Sequence, residues 1–110
     1  MKRPAPYHRH TPGKMNKLET AYAERLEYQK GAGLIVDWQY ESVKLQLAKK
    51  CWYTPDFMVV MHDHIELHEV KGFWRDDARV KWKAAAEKFS MFRFCAATRP
   101  NHIWLEEYYD

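Results

Sequence analysis

The segment TPDFMVVMHDHIELHEVKG, residues 54–72, contains two apolar runs separated by the polar dipeptide His62-Asp63. The first run is Phe57 to Met61, and the second, Ile65 to Lys71, alternates apolar with polar side chains. A period of two indicates a strand, and two strands joined by a two-residue turn form a β-hairpin. We therefore predict a hairpin here, although its turn lacks the usual glycine.

The two-residue turn also predicts the register of the hairpin. Counting outward from it pairs Val60 with Ile65 and finally Asp56 with Glu69. Directly opposed residues have Cβ atoms about 4.5–5.5 Å apart, and like charges there destabilise a sheet. Glu69 and Lys71 are two positions apart, so they project from the same face beside Asp56. The open end of the hairpin is thus predicted to collect two carboxylates and an ammonium group.

Such a cluster suits a hard divalent cation. Magnesium is held by one or two carboxylates, while water and substrate phosphate oxygens complete its shell. Taken singly, Asp56 could only begin a strand and Lys71 could only solvate a strand end. Together with Glu69 they predict phosphodiester hydrolysis with Mg²⁺, which Mn²⁺ is expected to replace, and with Lys71 orienting water or offsetting negative charge.

Pro55-Asp56 followed by Glu69-Val70-Lys71 resembles the motif of the PD-(D/E)XK nuclease superfamily. The wider runs YTPDF, residues 53–57, and HEVKGF, residues 68–73, are similar to a group of small phage and prophage proteins within it. The resemblance covers roughly residues 16–97. It implies an α/β (α+β) fold with a restriction-endonuclease-like core, in which a helix, a three-stranded antiparallel unit, a second helix and a further strand follow one another.

The resemblance also implies roles for two positions outside the acid and lysine set. Members of the superfamily often carry a catalytic glutamate on the first helix near the metal, which Glu19 matches, with Glu24 as the second choice. The backbone carbonyl of Val70 would match a further metal ligand. Glu19 has an equally good structural interpretation, because Asn16 three positions before it completes a capping box. The two roles can coexist.

Two helices are predicted on either side of the hairpin. The first runs from about Asn16 to Lys30, where apolar side chains recur every four residues until glycines follow. The second is capped by Asp76 or Asp77 and continues through Phe89. Its predicted apolar side carries Val80, Ala84, Ala85 and Phe89.

The other strands are less sharply delimited by the sequence. Leu34 to Leu47 is strand-like and fits two strands or one bent strand. Met91 to Ala97 resembles a buried strand, whereas Ile103 to Tyr109 fits either a last short strand or a terminal helical turn.

Length and composition fit one globular domain. The chain has 110 residues, of which 46% are hydrophobic and 30% charged. Residues 1–14 combine prolines with basic side chains and are predicted to form a flexible arm, while residues 15–110 form the single domain. A net charge of +3 permits nucleic-acid binding without demanding it.

Cysteine usage and hydropathy indicate a cytoplasmic protein, in a bacterial host if a phage encodes it. Cys51 and Cys95 lie far apart and suggest neither a disulfide framework nor a structural zinc site. No apolar run reaches the roughly 18 residues of a membrane span, and no organic cofactor is expected. His62, His64 and His68 present no dedicated ligand set for zinc and are interpreted as surface residues.

Basic and aromatic residues follow the motif. Arg75, Arg79 and Lys83 could grip phosphates flanking the cut, or could belong to a solvated helix face. Phe73 and Trp74 could stack on an unpaired base, although packing in the core or in a dimer explains them as well.

These observations predict a magnesium-dependent DNA endonuclease. A chain this short is expected to need a homodimer to cut both strands, and branched DNA is a reasonable substrate. The competing hypotheses are a noncatalytic nucleic-acid-binding module and an interaction subunit of a phage DNA-processing complex. The intact set of Asp56, Glu69 and Lys71 argues against both.

Overall fold

The computed structural model of the protein describes residues 13–110, so the predicted arm lies outside it except for its last two residues. The elements in chain order are α1 (Lys17–Gly31), β1 (Asp37–Tyr40), β2 (Leu45–Ala48), β3 (Cys51–Tyr53), β4 (Phe57–Val60), β5 (Ile65–Val70), α2 (Asp76–Lys88), β6 (Arg93–Thr98), a 3-10 turn (Pro100–His102) and β7 (Leu105–Tyr108). Within the described range, neither α-helix combines the length and apolar character that crossing a bilayer requires.

The hairpin predicted at residues 54–72 is formed by β4 and β5. Val60 lies opposite Ile65, and the register continues without interruption to the start of β4. The next position outward brings Asp56 opposite Glu69. The register predicted from the His62-Asp63 turn is therefore confirmed.

The strands form a five-stranded mixed sheet and a separate two-stranded sheet. The order in the larger sheet is β1-β4-β5-β6-β7. β4 is antiparallel to both β1 and β5, whereas β6 runs parallel to β5 and is reached through α2. β7 then pairs antiparallel with β6, so the alternative of a terminal helical turn is wrong. The fold is thus of the α+β class, with two helices and a mixed sheet.

One face of the large sheet is covered by α1. Asn16 and Glu19 form the predicted capping box at its start, with Asn16 Oδ1 accepting from the Glu19 amide at 2.8 Å. Tyr22 and Leu26 point inward from the helix and are fully buried against the sheet, where Phe57 is also buried. This packing brings the first turn of α1 to the same end of the sheet as the open end of the hairpin.

The opposite face is covered by α2 and by the β2–β3 hairpin. Trp82, Ala85 and Ala86 are the buried residues of α2, and they pack in one cluster with Leu67 of β5 and Phe94 of β6. The segment from Leu34 to Leu47, for which the sequence allows two strands or one bent strand, contributes the two strands β1 and β2. The sequence does not predict β3, which pairs with β2.

The apolar side predicted for α2 is wrong in part. Val80 is 66% exposed and Ala84 is also exposed, because the helix turns the much larger Trp82 into the core. The N-cap residue is Arg75, with no side-chain cap hydrogen bond. Asp76 and Asp77 lie in the first turn instead, where the positive end of the helix dipole stabilises their negative charge.

The Trp82→Ala variant tests this orientation of α2. It is expected to lower the free energy of unfolding by about 3–5 kcal/mol, because a nearly buried indole leaves a large cavity. Val80→Ala should change the same quantity by no more than about 0.5 kcal/mol, since its side chain lies in solvent. Urea denaturation followed by circular dichroism measures both, and equal losses would contradict the orientation.

Candidate functional site

Asp56 and Glu69 are brought together at the open end of the β4–β5 hairpin, as the register predicts. Each residue is only 7% exposed. Asp56 Oδ2 accepts a hydrogen bond from the Val70 amide at 2.8 Å, which links the residue before β4 to the end of β5. The backbone of β5 thereby holds the Asp56 carboxylate beside Glu69.

Each oxygen of Glu69 has its own partner. The Tyr53 hydroxyl donates to Oε1 at 2.5 Å, and the Lys71 ammonium nitrogen lies 3.4 Å from Oε2. Tyr53 is 8% exposed and projects from β3, so the β2–β3 hairpin helps to position Glu69 of the large sheet. Sequence reasoning missed this role, although Tyr53 stands in the YTPDF run that carries the motif.

The two carboxyl groups are unfavourable as a pair of buried anions. Burial, followed by the nearby charge of Glu69, raises the pKa of Asp56 well above its usual range. Burial also raises the pKa of Glu69, against the lowering effects of Lys71 and the Tyr53 hydroxyl. The described residues therefore neutralise this pair incompletely, and an added cation would relieve the repulsion.

Glu19 lies beside the same cleft. It is 4% exposed, and its Oε1 accepts from the Asn16 amide at 2.9 Å and from the Tyr40 hydroxyl at 3.0 Å. Its negative charge contributes to the raised pKa of Asp56. The second choice, Glu24, is exposed and does not line the cleft. The structural role of Glu19 in the capping box thus coexists with a place near the acids.

The acids lie in an open cleft of about 1710 Å³ between α1, the β2–β3 hairpin and the start of α2. Exposed basic side chains line its rim, and apart from Lys71 they are Lys14, Lys17, Lys44, Arg75 and Lys81. Asp77 and Glu41 also line the cleft, but the exposed basic residues outnumber them around the buried acids. This arrangement suits an anionic ligand whose phosphates contact the rim while a cation bridges it to the acids.

The three basic residues that were predicted to contact phosphates do not lie together in the structure. Arg75 lines the cleft, but Arg79 forms an ion pair with Glu107 and stacks on the Trp74 ring, with its guanidinium carbon 5.4 Å from the ring centroid. Lys83 is exposed and outside the cleft. Lys81, which sequence reasoning missed, lines it instead. The orientation of α2 decides which basic residues reach the cleft.

The two aromatic residues after Gly72 also differ from each other. Phe73 is 77% exposed at the cleft, whereas Trp74 packs against Trp82 with ring centroids 5.7 Å apart. Phe73 is thus free to meet a ligand, and Trp74 belongs to the core beneath α2.

The interpretation of the three hairpin histidines as surface residues is wrong for His68. His62 is exposed and His64 is partly exposed, but His68 is 4% exposed and lies between α1 and the sheet. The alternation of β5 explains this, since His68 faces the side opposite Glu69.

Comparisons of the chain with protein-family models, curated proteins and solved structures found no match. The resemblance to the nuclease superfamily accordingly stays a prediction made on the motif residues. The assignment of the site depends on its own geometry.

The Asp56→Asn variant is expected to stabilise the protein at neutral pH without divalent metal. The amide retains an acceptor for the Val70 N–H and removes one of two opposed charges. The pKa of Asp56 is higher in the folded protein than in the unfolded chain, where it is about 4. The protonated carboxyl therefore contributes its full stability below about pH 4, and this contribution is lost as the pH rises toward the pKa of the folded protein. Urea unfolding in chelator should show the advantage of the variant growing from acidic to neutral pH. An advantage that does not change with pH would contradict the assignment.

Proposed function

We propose that the protein is a metal-dependent DNA endonuclease with a restriction-endonuclease-like core. The observation that carries the proposal is the convergence of Glu19, Asp56, Glu69 and Lys71 on one cleft with a basic rim. The order α1, antiparallel β1–β4–β5, α2 and β6 agrees with the order that the resemblance implies. A structural ion-pair network would not need an open cleft lined by exposed cations.

The acids fit a hard divalent cation. Asp56 and Glu69 would hold Mg²⁺ or Mn²⁺, with the Val70 carbonyl as a further ligand. The raised pKa values of both carboxyl groups support this fit, because a bound cation would offset the burial of both anions and the repulsion of Asp56 by Glu69. When bound, the metal would polarise the scissile phosphate and activate water for attack.

Lys71 is suited to act on the substrate as well as on Glu69. Its side chain is 32% exposed in the cleft, and its ammonium lies 3.4 Å from Glu69 Oε2. It can therefore donate to the substrate phosphate or orient the attacking water without leaving the acid. Its positive charge stabilises the negative charge that develops during phosphodiester hydrolysis.

DNA is the substrate class that the rim favours. Lys14 and Lys17 lie before and at the start of α1, which covers one face of the sheet, whereas Lys44, Arg75 and Lys81 belong to the segments that cover the other face. Cations on both sides of the acids can contact the backbone on both sides of a cut phosphate, without reading its sequence. Cutting both strands requires two such sites, which a homodimer would supply.

The Lys71→Ala variant tests the chemistry. It is expected to slow cleavage by about 10²–10³-fold, the loss found when one electrostatic stabiliser is removed from an active site. Conversion of supercoiled, linear and four-way-junction DNA is measured with Mg²⁺, with Mn²⁺ and with chelator. Lys83→Ala is the matched control, because Lys83 lies outside the cleft, and it should cut like the unmodified protein.

Cleavage by Lys71→Ala at the unmodified rate would overturn the role of Lys71. If the unmodified protein binds DNA under every metal condition but never cuts it, the noncatalytic module is correct. Absence of both binding and cleavage would favour the interaction subunit.

Tyr53→Phe tests the positioning of Glu69. Loss of its 2.5 Å hydrogen bond should raise the Mg²⁺ concentration needed for half-maximal cleavage by about 10–100-fold, as for other groups that orient metal ligands. The cleavage rate at saturating Mg²⁺ should fall much less. Trp52→Phe is the control, because Trp52 is 43% exposed on the same strand. An unchanged metal dependence in Tyr53→Phe would contradict the positioning role.

A further inference from the structure

A second polar cluster lies on the opposite face of the large sheet, under α1. His68 stands opposite Cys95 in the β5–β6 pair, and Glu106 projects nearby from β7. A His68 ring nitrogen, the Cys95 sulfur and a Glu106 carboxylate oxygen all lie within 4.8 Å of one another. His68 and Cys95 are almost fully buried. Three neighbouring strands thus bring three metal-ligating atoms together, two of them on buried residues and the third on the exposed Glu106.

Hydrogen bonds to His68 orient its ring for ligation. Its Nε2 lies 2.8 Å from Glu66 Oε1 and its Nδ1 lies 2.6 Å from the Tyr22 hydroxyl. The Glu66 carboxylate therefore supports one side of the ring, as carboxylates do behind many metal-bound histidines, and Nδ1 points the other way, toward the Tyr22 hydroxyl.

The chemistry of the ligand atoms favours zinc. Imidazole nitrogen, thiolate sulfur and carboxylate oxygen are the ligand types of Zn²⁺, whereas Mg²⁺ prefers oxygen alone. Atoms bound about 2.0–2.3 Å from a tetrahedral zinc lie roughly 3.5 Å from one another. The cluster therefore needs to contract by only about 1 Å to reach that geometry.

A small cavity of about 140 Å³ adjoins two of the three ligand residues. His68 and Glu106 line it together with Glu66 and Tyr108. Binding has a cost, because the Tyr22 hydroxyl must give up its bond to His68 Nδ1, and Glu106 also contacts Arg25 at 3.3 Å. The exposed Glu106 carboxylate must also lose water, and the Cys95 thiol, whose pKa burial raises, must release its proton.

We propose that His68, Cys95 and Glu106 bind one Zn²⁺ ion in a site separate from the nuclease cleft. The Cys95 thiol loses its proton to solvent when the Zn–S bond forms. The ion would link β5, β6 and β7 on the face opposite Glu69. It would thereby stabilise β5, the strand that carries Glu69. The proposal is independent of the nuclease activity, because none of its ligands lines the cleft.

Cobalt is the probe for this site, because a Co²⁺–thiolate bond produces an intense near-ultraviolet charge-transfer band that oxygen ligands do not produce. The metal-free full chain is titrated with CoCl₂ under a phosphine reductant. We expect the band to saturate at about one equivalent of Co²⁺ and to disappear when Zn²⁺ is added. Absence of the band would overturn the proposal.

Two pairs of variants assign the ligands. Cys95→Ser should abolish the band, and Cys51→Ser should keep it, since Cys51 lies elsewhere on β3. Glu106→Gln should weaken Co²⁺ binding by at least about tenfold, a loss typical of metal sites that lose one supporting group. The control variant Glu107→Gln should bind Co²⁺ normally, because the alternation of β7 places Glu107 on the other face of the sheet.

The outcomes separate the two sites. Asp56→Asn should retain the band whether or not the protein cuts DNA, so failure of either proposal leaves the other intact. Circular dichroism checks that Cys95→Ser folds, and if it does not, the surface pair Glu106→Gln and Glu107→Gln decides. A band that persists in folded Cys95→Ser, or equal weakening in both glutamine variants, would overturn the zinc site.

Discussion

Burial of two like charges at the end of the β4–β5 hairpin is the constraint on which the site depends. A pair of opposed carboxylates is unfavourable in a sheet and more so when each is 7% exposed. A backbone amide donates a hydrogen bond to Asp56, and Glu69 accepts one from the Tyr53 hydroxyl and forms an ion pair with Lys71. These partners hold the acids in place without fully neutralising them. A fold that keeps such a cluster open to a cleft is suited to attract a cation.

A single strand, β5, separates two polar networks. Leu67, Glu69 and Lys71 lie on the side of α2 and the small hairpin, and Glu66 and His68 lie on the side of α1. The strand is central in the sheet and buried on both faces, so each polar side chain on it requires partners. Because the two networks share a backbone, stabilising one side of β5 also limits the motion of the acid on the other side.

The β2–β3 hairpin links core packing to the acids. Leu45 and Tyr53 are buried in the cluster around Trp82, so the same contacts that hold the hairpin down also aim the Tyr53 hydroxyl at Glu69. Residues next to the hairpin and at the start of α2 both line the cleft. The position of the basic rim therefore depends on the packing of Trp82, which lies away from the acids themselves.

The sequence alone determined the hairpin, its register and the first helix, because each depends on local rules: a two-residue turn, a period of two, and the capping box of Asn16 and Glu19. It thereby determined that Asp56, Glu69 and Lys71 meet, since all three lie within one hairpin. Only the tertiary structure decided which residues of α2 are buried, because the volume of Trp82 outweighed the pattern of smaller apolar residues around Val80. It also brought in Tyr53 from a separate sheet, and it buried His68 beside Cys95 and near Glu106. Such contacts join residues far apart in the chain, and no local periodicity encodes the distances between them.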